Sequence, residues 1–202
     1  QAEKSAIIRN AHAVNTGRPP ELKNTQNDFF FLCRRAPDRL VQTVVELCQQ
    51  RLPDNMGIPA DQIQVLSPTR KGVCGTVNLN RALQAALNPP AAGRRQKLWG
   101  DMVFREGDRV MQTRNNYDVV WEKDDGAMGA GIFNGDVGVI QEIDPSGELI
   151  TLRFDDRTCV YTADLLNQLD MAYAMTVHKA QGSEYRCVVL VSAAVAPALM
   201  VR

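Results

Sequence analysis

The chain has 202 residues, enough for one large domain or two small ones, and its 45% hydrophobic and 23% charged residues are ordinary for a globular protein. No apolar run reaches the ~20 residues that a membrane-spanning helix needs, and the opening QAEKSAIIRN reads as a polar, amphipathic stretch rather than a secretory leader. Lys and Arg equal Asp and Glu at 23 each, yet residues 1–100 carry 14 against 7, residues 101–170 carry 6 against 15 and residues 171–202 carry 3 against 1, so an acidic block sits within a basic surround.

In chain order, EKSAIIRNAHAVNT (3–16) sets Ala6, Ile7, Asn10, Ala11 and Val14 at helical spacing, with Gly17 as a stop. DFFFLC (28–33) is a short continuous apolar run and predicts a strand buried on both faces. APDRLVQTVVELCQQRL (36–52) gathers Leu40, Val44, Val45, Leu47 and Cys48 on one helical face, and the loop PDNMGIPAD ends it. IQVLS (63–67) predicts a second strand, and GTVNLNRALQAALN (75–88) a helix stopped by Pro89 and Pro90. Strand, helix, strand, helix is the rhythm of an α/β layer with parallel strands.

Beyond residues 88–97 the texture changes. GDRVMQTRN, GDVGVIQEID and ELITLRFDDRTCVYT alternate apolar and polar residues with period two, between turn clusters. This predicts a small antiparallel β unit with one solvated face, of SH3-like barrel type. Its Gly-rich middle, residues 115–135, predicts a mobile loop. From Leu169 the periodicity turns helical again, and CVVLVS (187–192) follows as a third apolar strand. The expected architecture is therefore one discontinuous α/β domain, residues 1–99 and 167–202, interrupted by a β module at 100–166.

The chemistry is first a matter of exclusion. The five scattered cysteines form no C-x-x-C pair and the two histidines lie far apart, which argues against a disulfide framework or a metal site and for a reducing, cytoplasmic compartment. No G-x-x-x-x-G-K-[ST] or G-x-S-x-G occurs in these residues. LITLRFDD alternates like a half-exposed strand rather than a magnesium-holding acidic strand end, and no helix pattern follows GAMGAG. What remains is TVHKAQGSE (176–184), directly before an apolar strand. Small polar side chains and free amides at an element's end suit phosphate oxygens, and a Glu beyond a flexible Gly can accept from sugar hydroxyls. A plain loop with a packed His and a solvated Glu is the alternative from spacing alone.

AMTVHKAQGSEY before an apolar strand resembles motif V of superfamily 1 helicases in the RecD-like branch, the relatives of the exodeoxyribonuclease V alpha-subunit. QAEKSAIIRNAHAVNTG resembles the helix after that family's motif IV. IQVLSPTRKGVCGTVNLNRALQAALNP resembles the strand, polar turn and helix that follow, and GDRVMQTRNNYD with IFNGDVGVI resembles the branch's SH3-like insertion. The resemblance implies the second, RecA-like motor domain of an ATP-dependent DNA helicase, incomplete here and carrying an SH3-like insert. It implies 5′-to-3′ polarity, a role in DNA repair or recombination, a bacterial setting, and possible partnership in a nuclease complex. The motif IV arginine and the motif VI arginine would fall outside the chain. ATP and Mg2+ would be bound mainly by a first RecA-like domain that these residues do not include, so the segment alone is expected to be inactive.

By the same resemblance Thr176 and His178 touch single-stranded DNA. Gly182 and Glu184 face ATP, Glu184 near the ribose, and Gln181 couples the two sites. Ser67 and Thr69 resemble hydroxyls that hold a DNA phosphate, with helix capping as the equal alternative; Arg70 and Lys71 add phosphate attraction or are solvated charges. His12 is read as a local structural hydrogen bonder. Residues 114–118 and Trp121 offer aromatic and basic groups for stacking on bases, although the insert is acidic. Two other functions compete with this one: a non-catalytic protein-interaction module built on the SH3-like unit, and an RNA-directed superfamily 1 helicase.

Overall fold

A computed structural model describes residues 5–23 and 28–192. The chain divides into two compact units, Gln1–Ala36 and Pro37–Arg202. The first is built on α1, Ala6–Asn15, capped by the Ser5 hydroxyl accepting from the Ile8 amide. Asn10, buried in this unit, is a tie rather than a ligand: its amide donates to the Glu21 carbonyl and its oxygen accepts from the Glu21 amide. The His12 side chain is exposed. The apolar run 28–33 forms no strand: it is irregular, with Phe30 and Phe31 52% and 42% exposed. Periodicity alone does not settle what a short apolar run becomes.

The second unit opens with a helix that outruns its expected end. α2, Pro37–Glu46, passes through a π-helical turn, Leu47–Arg51, into α3, Leu52–Met56. The chain thus continues in helical form past Pro53, because the proline enters in the first turn of α3, where its missing N–H costs least, after a widened turn. Gly57, at φ 62°, ends it. β1, Ile63–Ser67, is nearly all buried, and α4, Thr76–Leu87, follows it.

The β module contains β2 (Gln96–Trp99), β3 (Met102–Arg105), β4 (Arg109–Gln112), β5 (Asn116–Lys123), β6 (Met128–Ile132), β7 (Val137–Ile143), β8 (Leu149–Phe154) and β9 (Arg157–Thr162). A 3-10 turn, Ala163–Gln168, leads to β10 (Leu169–Met171), then β11 (Ala174–Thr176) and β12 (Cys187–Leu190). A seven-stranded antiparallel sheet runs β10-β4-β7-β8-β9-β5-β6, and β2 pairs with β3. A three-stranded parallel sheet runs β11-β1-β12.

Two expectations are corrected here. The Gly-rich stretch is a paired hairpin, β5 against β6, because Trp121 lies over its register partner Gly129, where a Cβ would come within 2.4 Å of the indole. The indole N–H donates to the Gly131 carbonyl, and Trp121 is half-buried against the hairpin. The helical reading from Leu169 also fails: β10 and β11 are strands, each recruited by a distant partner, β4 and β1. Such pairing overrides local periodicity.

One hydrophobic core joins the α/β part to the β module, with Val65, Leu79 and Leu83 in the same cluster as Phe104, Ile140 and Tyr161. Asp108, fully buried, moors the two. Its carboxylate accepts from Gln84 of α4, from Asn88 just past the end of that helix, from the Arg105 amide and from the Tyr173 hydroxyl, all at 2.6–2.9 Å. Burial pushes its carboxyl up from the ordinary value, and these donors pull it part of the way back.

Candidate nucleic-acid and nucleotide edge

Ser67 and Thr176 end neighbouring parallel strands and are register partners. Two residues 109 apart in sequence thus stand side by side at the carboxyl end of a parallel sheet, where open α/β sheets bind ligands. The Val177 amide donates to the Ser67 carbonyl at 3.2 Å and continues the ladder one step further.

Ser67 itself is turned inward. It is 1% exposed, and its hydroxyl donates to the Cys74 carbonyl at 2.8 Å while accepting a longer bond from the Thr69 amide at 3.4 Å. It thereby closes the turn between β1 and α4. The carbonyls of Thr69 and Arg70 accept from the Thr76 and Val77 amides, and Gly75 is packed so closely that a Cβ would meet the Lys71 carbonyl at 2.4 Å. Thr69 is half-buried at the rim of this turn.

After Thr176 the chain makes consecutive tight turns. The Lys179 and Ala180 amides donate to the Thr176 carbonyl, and the Gln181 amide donates to that of His178. Ala180 is the anchor: it is buried with Met111, Ala172 and Met175, and Tyr185 packs beside them. With its underside held, the turn leaves His178, Gln181, Gly182, Ser183 and Glu184 exposed. Gly182 has φ 86° with nothing near its Cβ position, so backbone conformation rather than crowding calls for glycine there.

The segment 177–186 has a defined course. It leaves β11 at the carboxyl end of the sheet and must reach Cys187, which pairs with Ile63 at the opposite end of β1. Arg186 marks the arrival with a hydrogen bond to Gln62 at 2.5 Å. His178 therefore lies just beyond one end of the sheet and Glu184 close to the other. The sequence motif gave no hint of Asn80. Buried in α4, its amide donates to the carbonyls of Met171 and Ala174, and its oxygen accepts from the Ala174 amide at 2.7 Å, which fixes where β11 begins. A helical Asn reads as surface in a sequence; only the crossing strand reveals its task.

Among the described residues no group of three or more His, Cys, Asp or Glu could hold a metal ion. No helix among them is long and apolar enough to cross a membrane. The cysteines are free, and burial, with Cys187 nearby, pushes the Cys48 thiol up to about 12.

Residues 79–154 match the family model described as the SH3 domain of ATP-dependent RecD-like DNA helicases, and residues 171–202 match that of the UvrD-like helicase C-terminal domain. The ATP-dependent RecD2 DNA helicase of Deinococcus radiodurans is 34% identical over 185 residues, 92% of this chain and 22% of that protein. An uncharacterized protein of Methanocaldococcus jannaschii is 27% identical over 148 residues, 65% of this chain and 12% of that one. The chain thus spans less than a quarter of the length of either relative. Among solved structures, Bacteroides Pif1 bound to ssDNA aligns with 92% of this chain and 42% of its own at 13% identity, with a TM-score of 0.47.

Proposed function

The chain belongs to the RecD-like branch of the superfamily 1 DNA helicases, and from that premise we propose that it is the second motor segment of an ATP-dependent DNA helicase. In this reading residues 1–99 and 167–202 belong to a RecA-like domain, and residues 100–166 are its SH3-like insert. Thr176, His178 and Thr69 meet single-stranded DNA, and Ser67 sets the turn that presents Thr69. Gly182 and Glu184 face the nucleotide, and Gln181 couples the two. ATP with Mg2+ lies against residues outside this chain, and the parent protein works with 5′-to-3′ polarity in a bacterial cytoplasm. These 202 residues contain no Walker motif and by themselves neither hydrolyse ATP nor unwind DNA.

The observation that carries the reading is the course of 177–186. A single connection puts His178 beside the Ser67–Thr176 strand ends and Glu184 toward the opposite end of the same sheet. A segment touching both a polymer and a nucleotide can transmit a change at one to the other, as stepping along a strand requires. The test is made in the full-length protein. Glu184→Ala lowers ATPase turnover by tenfold or more, on the order expected for a lost nucleotide contact, and leaves oligo(dT) affinity within about twofold. Thr176→Val with His178→Ala does the reverse, weakening oligo(dT) binding first. Unaltered ATPase in Glu184→Ala would remove the nucleotide role.

A further inference from the structure

Arg70 lies in the turn after β1, Lys179 in the turn after β11, and Asp170 in β10, where the backbone passes from the antiparallel sheet toward the parallel one. A single oxygen, Asp170 Oδ2, holds both cations: Arg70 Nη1 at 3.4 Å and Lys179 Nζ at 3.3 Å. All three line a groove of about 400 Å3 together with Thr176, Thr76 and Arg81. Two cations on one carboxylate oxygen are an unsaturated arrangement, since an Arg satisfied by a carboxylate usually takes both oxygens. Both contacts are long and single-point. The side chains remain 58%, 30% and 27% exposed for Arg70, Lys179 and Asp170, and ion pairs of that kind are weak and readily exchanged.

We propose that Asp170 masks a phosphate site, holding Arg70 and Lys179 together in the free protein and yielding them to a backbone phosphate when a nucleic-acid strand lies along the Ser67–Thr176 edge. The exchange replaces one anion by another, so the cations stay paired throughout, and the strand sheds its counterions. A bound phosphate offers more acceptor oxygens than Asp170 gives them. Arg81, exposed on the α4 wall of the groove, adds a third cation that the strand can reach. Asp170 then sets affinity: it lowers binding of any polyanion at this edge, keeps the free groove from accumulating small anions, and lets a strand be released without leaving bare charges behind. The assignment of the strand as single-stranded DNA rests on the function proposed above; the masking itself rests on the groove.

Asp170→Asn tests it in this chain. The substitution preserves size and the backbone pairing of Asp170 with Met111; Asp170→Ser, which keeps the same pairing, is the second variant should the first misfold. The expected result is oligo(dT) binding about three- to tenfold tighter. The slope of log Kd against log salt should steepen by roughly 0.7, one more phosphate contact on a single strand. Both gains should vanish when Arg70→Gln and Lys179→Gln are added. Unchanged or weaker binding in Asp170→Asn, with Thr176→Val still weakening oligo(dT), overturns the masking and leaves the single-strand reading standing. If neither chain binds oligo(dT) but Asp170→Asn binds inorganic tripolyphosphate more tightly than the unaltered chain, the single-strand reading falls and the masked anion site stands. Equal tripolyphosphate binding in that case ends both.

Discussion

At the scale of single residues, the side chains that arrange the site are buried polar ones. Asn80 makes three hydrogen bonds to the backbone of the β10–β11 crossing while 9% exposed. Orphaning a buried backbone group costs about 1–3 kcal/mol. Asn80→Leu should therefore destabilise the chain by about 3 kcal/mol in chemical denaturation, well beyond Val77→Ala on the exposed side of the same helix. It should also weaken oligo(dT) binding through displacement of Thr176, although Asn80 itself touches no ligand in this reading. Equal losses for the two variants would show that the crossing is held by its sheet partners alone. Ser67 works in the same way, its inward hydroxyl shaping the turn that carries Thr69 and Arg70.

At the scale of elements, the β7–β8 turn is gathered on one side chain. Between β7 and β8, Asp144 accepts from the Leu149 and Glu148 amides, both at 2.8 Å, and from Ser146. The Leu149 amide foremost, then the Ser146 hydroxyl, pulls its carboxyl down to about 2. A carboxyl depressed in the folded state favours folding above its ordinary value, ~3.9, and that contribution is lost as pH falls through about 2. The amides of Ser146, Glu148 and Leu149 should shift and exchange faster in NMR spectra as pH falls through that value, and Asp144→Ala should show the loosened turn already at neutral pH. A turn indifferent to both changes would be held by strand pairing instead. The same economy explains the β5–β6 hairpin, where the Gly-rich sequence supplies the bare backbone that Trp121 covers.

At the scale of the molecule, the β module and the parallel sheet share one compact unit, joined by a common core and the buried Asp108. Both tryptophans of the chain lie in antiparallel strands, Trp99 in β2 and Trp121 in β5, whereas α2 to α4 hold none. Tryptophan fluorescence and helical ellipticity should accordingly report the same denaturation midpoint. Two separated transitions would mean that the insert folds on its own. A single transition bears on the proposed function, because a β module that unfolds and moves with the parallel sheet keeps the groove around Thr176 at a fixed shape.

By itself the sequence determined the local and the chemical: the period-two strands of the β module, the helix at 75–88 with its two prolines, the strand at 63–67, a strand expected at 187–192 that the structure ends at Leu190, and the polar motif at 176–184. These follow from side-chain periodicity and turn chemistry, which act over a few residues. Tertiary structure alone decided that 28–33 is no strand, that 115–135 is largely a hairpin, and that residues 169–176 are strands rather than a helix. It alone set Ser67 beside Thr176, turned the Ser67 hydroxyl inward, and brought Arg70, Asp170 and Lys179 to one groove. The strands at 169–176, the Ser67–Thr176 pairing and the Arg70–Asp170 contact depend on partners tens of residues away, and no local pattern encodes who those partners are: a strand is completed by the neighbour it hydrogen-bonds, and a buried polar group by the backbone that crosses it.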